Sequence, residues 1–77
     1  MNVLRLKYYD GETLIYLYQP EGKGDFGEIT HNFETQETAV TKSAENHSFR
    51  YDSHAVTKIK ERVEKRNFPV EFIQAWY

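Results

Sequence analysis

Arg5, Lys7, Tyr9, Tyr16 and Tyr18 fall at alternate positions in two short segments rich in apolar residues. On extended chains such residues project from one side. Bases interleaved with phenol rings can hold a single-stranded nucleic acid, the rings stacking on bases and the cations meeting phosphates. The same residue types also build protein interfaces, where Tyr and Arg are enriched. A formal net charge of −2 weighs against nucleic acid, because non-specific binders of that class carry a basic excess. The expected partner is therefore another protein, with single-stranded nucleic acid as the alternative. A plainer reading also stands, in which a helix covers this face or its tyrosines lie flat on a half-exposed sheet.

A second motif is Gly22-Lys23-Gly24-Asp25-Phe26-Gly27, which matches G-x-G-x-x-G. A dinucleotide site needs a helix after this motif, whereas here a strand-like segment follows. Gly22, Gly24, Phe26, Gly27 and Ile29 instead resemble the glycine-rich loop of protein kinases, which also bridges two antiparallel strands. Lys42 closes Ala39-Val40-Thr41-Lys42, which is similar to the strand lysine motif of that family. Glu61 lies mid-helix, where the family keeps the glutamate that pairs with the lysine. The resemblance implies glycine amides approaching a phosphate while Lys42 neutralises its charge. It spans about half the chain, and nothing in the sequence resembles the catalytic loop or its base. The expectation is that the chain is not a kinase, with phosphate binding at Gly22–Gly27 a remote alternative.

Other groups capable of chemistry are dispersed. His31, His47 and His54 lack metal-ligand spacing, and the acidic residues fall mostly in turns or on the polar side of the helix. With no cysteine, disulfides, thiolate metal sites and thiol nucleophiles are excluded. A non-enzymatic protein without metal or cofactor is expected.

The elements that position these residues can be read from their periodicity. Val3–Tyr9 and Glu12–Tyr18 flank Asp10-Gly11, a strong signal for a type I′ hairpin. The implied register pairs Tyr9 with Glu12, Leu6 with Ile15 and Leu4 with Leu17. Leu4, Leu6, Tyr8, Thr13, Ile15 and Leu17 then share a core face. Val3, Arg5, Lys7, Tyr9, Leu14, Tyr16 and Tyr18 share the other. Gln19–Asp25 reads as a loop. Phe26–Phe33 and Thr38–Ser43 read as a second hairpin, with Ile29, His31, Phe33 and Val40 inward and Glu28, Thr30, Asn32 and Thr41 outward.

A helix is expected at about Ser53–Arg66, with Asp52 as N-cap, Tyr51 and Val56 as a staple, and an apolar stripe of Ala55, Val56, Ile59 and Val63. Lys60–Glu64 and Glu61–Lys65 are spaced as ion pairs on its wet side. Phe68-Pro69 ends it, and Val70–Tyr77 reads as a last strand. The expected core comprises Leu4, Leu6, Ile15, Leu17, Ile29, Phe33, Val56, Ile59, Val63 and Trp76, with Trp76 and Tyr77 buried.

Seventy-seven residues accommodate one domain. The fold class is α+β and two-layer: an antiparallel sheet of four to five strands, two hairpins plus a C-terminal strand, packed on one helix. An aromatic fraction of 16% supplies much of the area so small a core needs, and oligomerisation is the other route to it. Charges interrupt the apolar residues of the N-terminal segment, and no stretch approaches the ~20 apolar residues of a membrane span. A cytoplasmic protein is expected.

Titration with Mg-ATP is expected to leave the amide resonances of Gly22–Gly27 and of Lys42 in place. Saturable micromolar shifts confined to those residues would contradict the reading of the loop as a strand connection.

Overall fold

The computed structural model describes residues 1–44 and 49–75. In chain order they form β1 (Asn2–Tyr9), β2 (Thr13–Pro20), β3 (Gly27–Asn32), β4 (Glu37–Lys42), α1 (Phe49–Lys65) and β5 (Glu71–Gln74). The strands make one antiparallel sheet in the order β4-β3-β2-β1-β5, and α1 packs on one of its faces. The expected two-layer α+β architecture is the one adopted.

The first hairpin departs from expectation in register. Asp10 N–H donates to Thr13 O at 3.2 Å, so the two-residue loop is Gly11-Glu12 rather than Asp10-Gly11. Within that loop only Gly11 takes positive φ, at 93°, whereas a type I′ turn would need it at both central residues. The Asp10 carboxylate fixes the turn by accepting from Glu12 N–H at 2.9 Å and Thr13 N–H at 2.8 Å. A bulge lies at Lys7, between the pairs Tyr8↔Ile15 and Leu6↔Tyr16, and beyond it Leu4 faces Tyr18. In β1, Leu4 and Leu6 keep the expected inward side. In β2 the sides exchange: Leu14, Tyr16 and Tyr18 are buried, while Ile15 and Leu17 are half-buried on the opposite face. The cause is the bulge at Lys7, which shifts the pairing by one residue and sets Leu4 and Leu6 on the side of Tyr16 and Tyr18; because β2 is apolar on both sides, the exchange strands no charge inside.

The second hairpin follows its expected sides. Ile29 and His31 are buried, Val40 is half-buried beside them, and Thr30 bonds Thr41 across the outer face at 3.0 Å. Asn32 Oδ1 accepts from Glu34 and Thr35 N–H at 2.8 and 3.2 Å and so closes the tip.

The core unites Leu4, Leu14, Tyr16, Tyr18, Ile29, Ala44, Ala55 and Ile59, flanked by Leu6, Phe33, Val40, Val56, Val63, Phe68 and Phe72. Ile15 and Leu17, expected there, lie outside it; Trp76 and Tyr77 lie outside the described residues. Helix α1 begins at Phe49, which puts Asp52 in its first turn rather than at the N-cap. There Asp52 accepts the Tyr18 hydroxyl proton and lies at the positive end of the helix dipole. The helix ends in a Schellman motif, with Asn67 N–H to Arg62 O at 3.1 Å, Arg66 N–H to Val63 O at 3.2 Å, and Arg66 at φ 50°. The chain then turns through Pro69 and pairs β5 with β1. Buried Asn2 ties the three elements, its Nδ2 donating to Tyr51 O and to Gln74 Oε1, both at 3.2 Å. Among the described residues no helix is long and apolar enough to cross a membrane.

Leu14→Ala is expected to cost ~2–5 kcal/mol, as for a buried leucine, and Leu17→Ala about 1 kcal/mol or less. Chemical denaturation of the two variants measures this, and the reverse order would place the helix on the other face.

Candidate functional site

The sheet has one covered face and one open face, and the five residues singled out by their types divide between them. Arg5 and Lys7 are on the open face. Arg5 Nε donates to Glu71 at 2.8 Å, its cross-strand neighbour, and its guanidinium lies 5.2 Å from the Phe26 ring. Lys7, projected by the bulge, meets Glu28 at 2.5 Å. Tyr16 and Tyr18 are fully buried beneath α1, with hydroxyls donating to Pro69 O at 2.6 Å and to Asp52. Burial pushes both phenols up to about 12, with the Asp52 carboxylate contributing at Tyr18. Tyr9 lies at the end of the covered side, its ring centroid 4.8 Å from Phe68 and 5.9 Å from Phe33. The five residues therefore do not form one surface. The reason is the register of the first hairpin, which turns Tyr16 and Tyr18 away from Arg5 and Lys7.

What the open face presents instead is a diagonal apolar stripe. Ile73 pairs with Val3, Val3 lies diagonal to Leu17, and Ile15 follows on the same side of β2. Val3, Ile15 and Leu17 are half-buried by their sheet neighbours, and Ile73 is 62% exposed. The Arg5–Glu71 and Lys7–Glu28 ion pairs frame the stripe. Ile15 and Leu17 are not legible as surface residues in the sequence, because alternation with Leu4 and Leu6 in a regular hairpin places them inward. The available signal was the larger ring area of Tyr16 and Tyr18, which gains more from burial than two aliphatic side chains.

The glycine-rich segment joins β2 to β3, so a strand–loop–strand setting is present. Gly27 has a packing role there: a Cβ would lie 2.7 Å from Ala44 N and closer still to the Tyr18 ring. Glu61 accepts from Lys58 at 3.3 Å and Lys65 at 3.2 Å, and Lys42 stands opposite Glu28 in the sheet, so the two residues are not paired with each other.

On the covered side, a groove of about 330 Å³ opens between the β3–β4 hairpin and the C-terminal half of α1. His31, Phe33, Thr38, Lys60, Val63 and Arg66 contribute to its walls. His31 is 3% exposed, its Nδ1 lies 2.7 Å from Thr38 Oγ1, and its ring meets Phe33 edge-on at 4.6 Å. Burial lowers its pKa below the usual histidine value, with the Gln36 side chain working in the opposite direction. Sequence reasoning placed His31 inward, and the neighbours that make it notable come from a helix about thirty residues away. His47 lies outside the described residues. Among the described residues no group of three or more His, Cys, Asp or Glu could hold a metal ion.

An imidazole that resists protonation in the folded state, against an ordinary 6.5, makes folding lose stability as pH falls. Its contribution is complete above pH ~6.5, where folded and unfolded histidine are both neutral, and declines below that value as the unfolded chain takes up the proton first. The His31 ring resonances are expected to titrate with a midpoint below 6.5. A midpoint at or above the ordinary value contradicts the placement.

Comparison with known proteins found no matching family, no matching curated protein and no matching solved structure.

Proposed function

We propose that the chain is a non-enzymatic interaction or accessory protein whose open sheet face receives a partner protein. The observation that carries this reading is the diagonal stripe of Ile73, Val3, Leu17 and Ile15, over which no described element packs. Apolar side chains framed by charge are the anatomy of a protein interface: a desolvated centre supplies affinity, and the rim supplies register. The partner suited to this face presents its own apolar side chains, with acids and bases set against Arg5, Lys7, Glu28 and Glu71. A stacking nucleic acid needs a row of exposed rings beside the cations, and with Tyr16 and Tyr18 buried on the far side the open face is left with Tyr8 as its exposed tyrosine, hydrogen-bonded to Asp10. A cytoplasmic location is part of the same proposal.

A photo-crosslinking residue placed at Leu17 tests the reading, with the exposed helix position Thr57 as control. Irradiation in the native cell is expected to link Leu17, but not Thr57, to one protein species, and Arg5→Glu should weaken that link. Equal labelling from both positions, or none from Leu17, overturns the assignment. A crosslink solely to a second copy of the chain would make the partner the protein itself.

A further inference from the structure

The groove against α1 gathers a buried imidazole and two cations that form no ion pair among the described residues. Among the described residues His31 Nε2 is buried with no hydrogen bond of good geometry; Thr38 holds the ring on its other side, and the Gln36 side chain is the polar group that acts on it. A buried polar atom left so costs stability unless something accepts or donates to it. Among the described residues the Thr38 hydroxyl bonds His31 Nδ1; when it donates there, the ring proton is on Nε2, which is then a hydrogen-bond donor.

Two cations line the same groove. Among the described residues neither Lys60 nor Arg66 forms an ion pair, whereas Lys58 and Lys65 on the same helix both meet Glu61. Arg66 is held near the groove by its left-handed backbone at the helix end, with its guanidinium 5.8 Å from the Phe33 ring. Glu64 also lines the groove, so its charged side chains sum to a single positive charge. Phe33 and Val63 provide apolar wall. A volume of about 330 Å³ lies at the small end of the ~300–1,000 Å³ typical of ligand pockets.

We propose that this groove binds a small organic monocarboxylate, whose carboxylate accepts from His31 Nε2 and pairs with Lys60 and Arg66 while its apolar body rests on Phe33 and Val63. One negative charge matches the net charge of the lining, and a dianion would confront Glu64. The Phe33 and Val63 walls favour an apolar body over a bare inorganic anion. Gln36 also lines the groove. That residue is exposed at the hairpin tip, and its side-chain amide is tied to Phe33 O at 2.6 Å. This site is on the opposite side of the sheet from the proposed protein interface and does not depend on it.

Benzoate is a suitable probe, with benzamide as its neutral counterpart and inorganic phosphate as the competing anion. Titrated into the isotope-labelled full chain at pH 7, benzoate is expected to give saturable shifts at His31 Nε2, Gln36 and Arg66, and benzamide none. Phosphate should bind at least tenfold more weakly. Lys60→Gln and Arg66→Gln replace exposed side chains, so the melting temperature should hold while benzoate affinity falls about tenfold in each, the size of one charge-assisted hydrogen bond. The proposal fails if benzoate gives no saturable shift, if benzamide matches it, or if both variants bind as the parent does. Phosphate binding as tight as benzoate overturns the choice of ligand class.

Discussion

The Tyr18 hydroxyl joins three parts of the chain that are distant in sequence. It donates to Asp52 in the first turn of α1 and accepts from Ala44 N–H, at 3.2 Å, in the segment that follows β4. One buried oxygen thus links the sheet, the end of the second hairpin and the start of the helix. Leaving such a group unpaired would cost ~1–3 kcal/mol, so the hydroxyl and its partners are fixed together or not at all. Because burial holds the phenol neutral up to about 12, it stays a donor throughout the physiological range. The ring lies against β3 because Gly27 has no side chain, which gives that glycine a structural reason independent of any phosphate.

This constraint also explains how far the sequence could be read. The helix stripe and the second hairpin were legible because each has one apolar side, so periodicity and burial agree. In β3, Ile29 and His31 alternate with Glu28 and Thr30, and only one assignment keeps the acid in water. In β2 the alternation offers Leu14, Tyr16 and Tyr18 against Ile15 and Leu17, and both sets can form a core. Geometry beyond any local window decides between them: the tyrosine hydroxyls reach Pro69 O and Asp52, groups set 53 and 34 residues away in sequence. The turn had the same ambiguity, since Gly11 can be the first or the second central residue of a two-residue loop, and the hand of its neighbour decides. The start of α1 was misplaced by taking Asp52 as a cap for backbone amides, when its carboxylate is used by a side chain from the sheet.

The two candidate surfaces follow from the same register. Turning Tyr16 and Tyr18 inward obliges Ile15 and Leu17 to face outward, so the apolar stripe is the counterpart of an aromatic core. The groove likewise exists because the helix ends where it does. The Schellman motif closes α1 at Arg66 and redirects the chain toward Phe68, which joins Tyr9 and Phe33 in an aromatic cluster at that end of the domain. His31 is buried in the hairpin wall of that groove, and the helix adds Lys60, Val63 and Arg66 to the opposite wall.

The position of β5 bears on how the chain reaches this state. Each of the first three strands pairs with its immediate successor through a short or moderate connection, as Thr30 and Thr41 do across 11 residues. The fifth lies beside the first, and its Arg5–Glu71 contact closes a separation of 66 residues. By the logarithmic cost of loop closure, a sixfold longer loop costs about 1.6 kcal/mol more to form. The hairpins therefore assemble ahead of the closing strand, and β1 waits as an open edge while α1 docks. Such an edge is a template for intermolecular strand pairing, and during folding β5 competes with other copies for it. Once seated, β5 moves the free edge to a strand of only four residues that begins with the charged Glu71, a poor surface for further addition.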